Sequence, residues 1–273
     1  MTDEKLFSLI GPGRLGTNLI YNLELKEWHC RLVIARNPEA KRQYLKNHIV
    51  QERIEREDDL GQNIFITVND DSIGNVAKML ADSGIPLRDT KCVHFSGVLP
   101  SDILEPIQEK GAAIGSLHPL YCFPKSPEKL PAGILFTFEG DEKCLDLANT
   151  ISRDLDGIIY LIDKSKKALY HCAASMAGNL SLTLLYITFR LLSGALDDKR
   201  EGQKESLILL ARSALSNLES SDWKDALTGP VSRGDIETIN KHLEALREYG
   251  EREFEDLYNI LKGMTNRMLD NCE

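Results

Sequence analysis

The sequence predicts an α/β fold: an N-terminal Rossmann doubly wound parallel sheet with an all-α C-terminal domain. Three observations lead there. The apolar run Leu6-Phe7-Ser8-Leu9-Ile10 feeds straight into Gly11-Pro12-Gly13-Arg14-Leu15-Gly16, a G-x-G-x-x-G turn that opens an amphipathic helix (Leu15, Leu19, Ile20, Leu23). Short apolar strands then alternate with helical patterns. From Asp163 onward no strand signal recurs. The boundary is therefore placed near residue 163, giving a dinucleotide-binding domain over 1–162 and a helical substrate-binding and dimerisation domain over 163–273.

The glycine turn carries the first chemical expectation. Gly11 permits a tight turn, Gly13 removes a side chain that would strike a pyrophosphate, and Gly16 lets helix and strand approach closely. Helix N–H groups behind such a turn point at an anion, so Gly11, Pro12, Gly13, Arg14, Leu15 and Gly16 are read as cofactor-binding. The second strand, Arg31-Leu32-Val33-Ile34-Ala35, ends at Arg36, twenty residues after Gly16. An NAD site offers a carboxylate at that place to the ribose 2′-hydroxyl. A guanidinium, with Lys41 and Arg42 a turn further on, suits a 2′-phosphate instead, and the expected cofactor is NADP(H).

The elements follow in order. A charged, low-apolar helix is expected from Pro38 to about Arg56, then the strand Asn63–Val68. Asp71 or Ser72 can cap a helix over Ile73–Ala81. Lys91–Phe95 reads as a fourth strand ending at Ser96-Gly97, and a helix over about Asp102–Glu109 leads to a fifth strand, Ala112–Leu117. Ile134–Phe138, a helix Glu142–Leu155 and Ile158–Leu161 add a further β-α-β unit to the parallel sheet. Asp163 can cap a helix running unbroken to Ala195, about 50 Å at 1.5 Å per residue. A polar break from Asp197 to Gln203, a helix near Glu205–Leu218, a turn at Thr228-Gly229-Pro230 and a helical tail from Asp235 complete the chain.

Composition narrows the function. Across 273 residues, 42% are hydrophobic and 27% charged, ordinary for a globular protein. A net charge of −9 argues against a nucleic-acid surface. The six cysteines are scattered with no C-x-x-C pair, which reads as free thiols in a reducing cytoplasm, and Cys122, Cys172 and nearby histidines lack metal-ligand spacing, so no metal is expected. No formal charge falls between Ala173 and Phe189. Ser175, Asn179, Ser181 and Thr183 interrupt that run and Arg190 ends it, so it reads as a buried central helix rather than a membrane span. A long apolar helix in a small domain has more surface than its neighbours cover, so a homodimer is expected.

Ligands of such sheets sit outside the carboxyl ends of the strands. That rule selects the glycine turn, Arg36, Asn69–Ser72, Ser96-Gly97 and His118-Pro119. Ser96 and Gly97 let the nicotinamide approach or form a plain loop; Asn69 is read as a cofactor contact. His118 is placed to donate a proton or hold a substrate oxygen. Lys167, His171, Ser175 and Asn179 are spaced by four and form a polar stripe on the long helix, serving either a substrate cleft or a helix–helix seam. Thr228 to Asp235 form a rigid bend that carries Arg233, suited to a substrate carboxylate or phosphate, or simply solvated.

These residues together resemble a known family. The glycine turn, His94-Phe95-Ser96-Gly97, Gly115-Ser116-Leu117-His118-Pro119, Tyr170-His171-Cys172-Ala173-Ala174 with Asn179, and Thr228-Gly229-Pro230-Val231-Ser232-Arg233-Gly234-Asp235 with His242 are similar to a bacterial group. Its members join a Rossmann-like NADP-binding domain to a helical C-terminal domain of unknown function 2520, and most are regarded as oxidoreductases. The architecture is also similar to ketopantoate reductase, pyrroline-5-carboxylate reductase, prephenate dehydrogenase and the β-hydroxyacid dehydrogenases, the 6-phosphogluconate dehydrogenase C-terminal-like superfamily. Several of those open the second domain with a lysine and asparagines spaced by four; here His171 stands at the lysine's place and Asn179 keeps its type. His118-Pro119 resembles the His-Pro of prephenate dehydrogenases, whose histidine contacts the substrate hydroxyl.

The resulting expectation is an NADPH-dependent reductase of a small anionic carbonyl or imine. His171 or His118 donates the proton, Ser175 and Asn179 position the reacting oxygen, and Arg233, Thr228 and Lys167 bind substrate. The alternative is a non-catalytic NADP(H) sensor or scaffold.

Overall fold

The structure, a computed structural model, describes residues 5–42, 45–54, 60–196 and 202–271. It divides into two compact units, Met1–Met176 and Ala177–Glu273.

In the first unit, β1 (Leu6–Ile10) leads through the glycine turn into α1 (Arg14–Glu24) and β2 (His29–Ile34). The helix expected to reach Arg56 is instead the short α2 (Pro38–Arg42), and β3 (Val50–Gln51) pairs parallel with β2. Pro38 starts that helix well, but no apolar stripe follows to hold it against the sheet. Part of the predicted span, residues 43–44 and 55–56, lies outside the described residues.

Next come β4 (Asn63–Ile66), α3 (Asp70–Asp82), β5 (Lys91–His94), a 3-10 turn Ser101–Leu104, and α4 (Glu105–Gln108). Neither Asp71 nor Ser72 caps α3. Asn69 occupies the N-cap position without a side-chain hydrogen bond, and Asp70 and Asp71 complement the helix dipole from inside the first turn. Then follow β6 (Ala113–Pro119), β7 (Leu135–Gly140), α5 (Glu142–Asp154) and β8 (Ile158–Leu161).

The strands form one sheet in the order β3-β2-β1-β4-β5-β6-β7-β8. The first six follow the order of a doubly wound dinucleotide-binding fold, whose ligand crevice opens where the order reverses, between β1 and β4. The sheet is not wholly parallel: β7 runs antiparallel to β6. The loop between them has no helix to carry the chain back across the sheet, so β7 returns alongside β6.

Strand alternation divides the core. Phe7, Leu9, Phe65, Phe136 and Phe138 pack under α1 and α5 with Trp28 and Leu147. Ile10, Ile64, Ile66, Ile73 and Ile107 form the opposite layer under α3 and α4. Trp28 Nε1 also donates to Asp154 Oδ2 at 2.8 Å. Cys92 and Cys144 are buried and Cys30 half-buried, whereas Cys122 and Cys172 are exposed; all five are free thiols. Burial pushes the Cys92 thiol up to about 12, against a hydrogen bond with Thr90, and pushes Cys30 and Cys144 up as well.

Asp163 caps as expected, accepting from the Ser165 N–H at 2.8 Å. A 3-10 turn (Lys164–Lys166) opens α6 (Lys167–Ser175), which closes the first unit. The predicted uninterrupted helix carries a π turn over Met176–Leu180 before α7 (Ser181–Ala195).

The second unit holds α7, α8 (Gln203–Glu219), α9 (Trp223–Ala226), α10 (Ile236–Tyr249) and α11 (Arg252–Asn271). Most of the polar break expected before α8, residues 197–201, lies outside the described residues. The expected helical tail is two helices, parted at Gly250 in the left-handed conformation. Asp235 caps α10, accepting from the Thr238 N–H at 3.0 Å. Arg190 pairs with Glu251 and lies over the Phe254 ring.

The expectation of a buried central helix is not met within the chain. α7 has no buried residue, and Leu182 and Tyr186 are exposed. The surrounding helices are too few to cover it. By length and composition alone, Lys164–Ala195 could also span a membrane.

Gly115 in β6 is required by packing, because a Cβ there would lie 2.8 Å from Phe138 Cε2 and 2.9 Å from Cys144 Cβ. Gly115→Ala is expected to destabilise the first unit by about 1–3 kcal/mol through overpacking, measured as a lower urea midpoint by the fluorescence of buried Trp28.

Candidate active site

The glycine turn is built as a cradle. Gly11 has φ +93°, and its N–H donates to the Ile34 carbonyl at 2.9 Å. A Cβ on Gly11 would meet Val68 Cγ1 at 2.5 Å; one on Gly16 would meet Thr67 Oγ1 at 2.6 Å and the Gly11 carbonyl at 2.9 Å. Gly13, by contrast, faces open space, with no atom nearer than 4.0 Å to a built Cβ. Gly13 is the N-cap of α1, whose first turn holds no acidic residue, so its positive end is uncompensated.

In front of this turn lies a cleft of about 370 Å³. It gathers Gly11, Pro12, Gly13, Arg36, Lys41, Asn69 and Ser72 from the predicted set and adds Asn37 and Glu52. Thr67 and Val68 floor it, and Val76 and Met79 of α3 supply apolar surface. Arg14, Leu15 and Gly16 form the first turn of α1 behind it. The cleft meets the requirements of a nucleotide pocket: an apolar wall, a backbone cradle for phosphates, and two cations for a further anionic group. A smaller cleft of about 260 Å³ includes Asn22, Lys26, Lys129 and Asp156. Lys26 there is paired with Asp156 at 2.9 Å.

Ser96 and Gly97 lie outside the nucleotide cleft. They form the turn after β5, and hydrogen bonds fix Ser96 from several sides. His94 is fully buried, with Nδ1 accepting from the Ser96 N–H at 3.2 Å and Nε2 facing the Pro100 carbonyl at 3.2 Å. A nitrogen that accepts on one side and meets a carbonyl on the other defines the neutral Nε2–H tautomer. Ser96 Oγ accepts from the N–H groups of Val98 and Leu99 at 3.3 and 3.0 Å.

Lys167 completes the clamp. It is 1% exposed and its ammonium donates to Ser116 Oγ at 2.7 Å and to the Ser96 carbonyl at 3.3 Å. Ser116 Oγ in turn donates to that carbonyl at 3.2 Å. Glu139 Oε1 stands 3.8 Å from the ammonium, and the two Glu139 oxygens accept from the Ser101 N–H and hydroxyl, each at 2.7 Å. Burial lowers the Lys167 pKa, and Glu139 opposes the shift. The expected substrate contact by Lys167 is thus corrected: its ammonium is directed into the protein.

The histidines expected near the substrate do come together. Antiparallel pairing sets Thr137 beside His118 and Glu139 beside Ser116. Those four side chains share the polar face of β6 and β7, while Phe136 and Phe138 take the core face. α6 lies over the polar face. His118 Nδ1 is 2.8 Å from Tyr170 Oη, and the His118 and His171 rings meet edge to face at 5.9 Å. A Cβ on Gly97 would lie 2.6 Å from His171 Cδ2 and 2.9 Å from His118 Nε2. Only glycine fits where both histidines converge.

Burial, with the charges of His171 and Lys167, lowers the His118 pKa to about 4. Burial, with the charge of Lys167, lowers that of His94 to about 3. Both rings are neutral at pH 7.

Ser175 is half-buried on α6, one turn beyond His171. Asn179 lies in the π turn of the second unit, where Thr228 and Arg233 are exposed on the bend before α10. Sequence reasoning missed Tyr170, Thr137 and Glu139. Glu139 had a legible signal: an acid inside the apolar strand Leu135–Gly140 needs a buried partner. Among the described residues, no group of three His, Cys, Asp or Glu is arranged to hold a metal ion.

Comparisons with known proteins agree with this architecture. Residues 4–119 match the Rossmann-like domain, and residues 134–265 match the domain of unknown function DUF2520. The second match begins inside the sheet, at β7, and takes in α5 and β8 as well as the helices that follow. No curated protein matches it. Among solved structures, protein TM1727 from Thermotoga maritima is 26% identical, with a TM-score of 0.71 over 97% of this chain and 98% of that one. BF3122 from Bacteroides fragilis is 20% identical, with a TM-score of 0.76 over 97% and 100%. The Plasmodium falciparum pyrroline carboxylate reductase with NADP bound is 11% identical, with a TM-score of 0.59 over 95% and 97%.

The histidines give a pH signature. A folded pKa below the unfolded value means the unfolded chain binds the proton more readily, so stability falls as pH drops below about 6.5. For His94, lowered to about 3, the loss between pH 7 and pH 5 is roughly 2 kcal/mol, and His118 adds in the same direction. Urea midpoints at the two pH values, followed through Trp28, are expected to show this loss. His94→Gln is expected to lower the midpoint at pH 7 and to flatten the pH dependence.

Proposed function

We infer that the protein is an NADPH-dependent reductase of a small anionic carbonyl or imine compound, with ketopantoate as the first substrate to test. The observation that carries this reading is the nucleotide cleft: a backbone cradle at Gly11–Gly13 opening toward Arg36 and Lys41, with no carboxylate at the end of β2. Glu52, from the neighbouring strand end, also lines the cleft. The residues present fit a dinucleotide bearing a 2′-phosphate: the cradle takes the pyrophosphate, and the two cations take the extra phosphate. The bound cofactor supplies a hydride.

The chain's own contribution is to hold the reacting carbonyl and supply its proton. Gly97 lets the turn after β5 approach His118 and His171 closely, and the Ser96 clamp fixes that turn. His118, neutral at pH 7, acts as a hydrogen-bond donor to the carbonyl oxygen as charge develops there. Ser175 and Asn179 are the candidates for positioning the oxygen, and Thr228 and Arg233 for the substrate's anionic group.

The reading includes a homodimer. Leu182, Tyr186, Leu209, Leu210 and Leu215 on α7 and α8 are all exposed. A second copy burying the same surface in return is the simplest cover.

Calorimetric titration with NADPH and NADH, then NADPH oxidation across 2-oxo acids and cyclic imines, tests the proposal. No heat with either dinucleotide overturns it, and binding without oxidation of any substrate favours a sensor. Arg36→Asp is expected to weaken NADPH roughly 10- to 100-fold while leaving NADH nearly unchanged. Equal loss of both removes the 2′-phosphate argument.

A further inference from the structure

Three features of the His118 environment have no role in the reading so far. Tyr170 Oη lies 2.8 Å from His118 Nδ1, the ring nitrogen turned away from Gly97. The phenol is half-buried, and burial raises its pKa, so it is protonated and its hydrogen needs an acceptor. Thr137 Oγ1, on a residue 4% exposed, has no hydrogen-bond partner. Thr137 is the cross-strand neighbour of His118, and Tyr170 reaches the same ring from α6.

We propose that Tyr170 is a positioning residue that donates its phenol proton to His118 Nδ1, holding His118 as the Nε2–H tautomer and resupplying its proton during reduction. The proposal rests on the reductase reading for its chemistry, but the tautomer is a property of the free protein.

Of the acceptors open to the phenol hydrogen, His118 Nδ1 is the stronger, and it lies at hydrogen-bond distance. A neutral imidazole nitrogen is a strong acceptor, and His118 Nδ1 is bare when Nε2 carries the proton. With the phenol donating, its oxygen is open to the Thr137 hydroxyl. The reverse arrangement, Nδ1–H donating to the phenol, turns a bare nitrogen toward the substrate oxygen and leaves the phenol hydrogen competing for Thr137.

The step balances. Hydride adds to the substrate carbon, and the C=O π pair moves to oxygen. That oxygen takes the proton from His118 Nε2 as the N–H bond breaks. Nδ1 takes the phenol proton, so the ring changes tautomer without becoming charged. Once the product has left, Nε2 takes a proton from water and Nδ1 returns its proton to the phenolate, which restores the starting tautomer. One hydride and one solvent proton are consumed per turnover. A neutral histidine can serve in this way because the proton it loses on one side is replaced on the other.

Long-range ¹H–¹⁵N correlation on the full chain with ¹⁵N-histidine, His118 being assigned by His118→Gln, is the test. The expected result is a protonated Nε2 and a bare Nδ1 whose resonance carries the shift of an accepted hydrogen bond. In Tyr170→Phe that Nδ1 resonance is expected to move to the position of a free imidazole nitrogen. Thr137→Val, of nearly equal volume, is expected to move it part of the way, and serves if Tyr170→Phe does not fold. With NADPH and any active substrate, Tyr170→Phe is expected to lower kcat about 100-fold at unchanged NADPH affinity. A protonated Nδ1 in the unaltered protein, or an Nδ1 resonance indifferent to the loss of the phenol, overturns the proposal. Neither result touches the reductase reading, which stands or falls on NADPH binding and oxidation.

Discussion

The buried ammonium of Lys167 is the constraint on which the arrangement of the candidate site depends. Moving a cation out of water costs several kcal/mol, so it persists only where acceptors are already in place. Here they are the Ser116 hydroxyl, the Ser96 carbonyl and the Glu139 carboxylate. Because Lys167 begins α6, satisfying it fixes both the height and the rotation of that helix over the sheet. Tyr170 and His171 follow within one turn and are therefore set over His118 and Gly97. The same charge acts on the neighbouring rings, lowering the proton affinity of His94 and His118 alike. One side chain thus sets the geometry of the site and reinforces the effect of burial on its charge state.

The reversed strand β7 matters for the same reason. Pairing antiparallel with β6, it lays Thr137 and Glu139 beside His118 and Ser116. Alternation then gives these two strands an aromatic face, Phe136 and Phe138, and a polar face covered by α6. The polar face would be costly if left unpaired in the interior; Lys167 and Tyr170 supply its partners.

Much of this was legible in the sequence, and the misses have physical causes. The glycine turn, Arg36, the His-Pro strand end and the polar residues opening the long helix were readable because each rests on local spacing. The direction of β7 was not, since a strand reads the same in either direction and only the connecting loop decides. The role of Lys167 was inverted: a lysine in a polar stripe reads as a ligand contact until its buried acid is known, and Glu139 lies 28 residues away in sequence. Tyr170 stood beside His171 in a recognised motif, but its bond to His118 spans 52 residues and leaves no periodic trace. The π turn also defeats a helical-wheel reading, because the four-residue spacing that aligned Asn179 with Ser175 assumes 3.6 residues per turn.

The distribution of thiols has a practical side. Alkylating reagents attack the thiolate, so a sulfur that is buried and resists ionisation is passed over. Cys30, Cys92 and Cys144 are of that kind, locked in the packed layers of the sheet. Cys122 and Cys172 face solvent, and Cys172 immediately follows His171. A maleimide is therefore expected to label those two thiols in preference to the three in the packed layers.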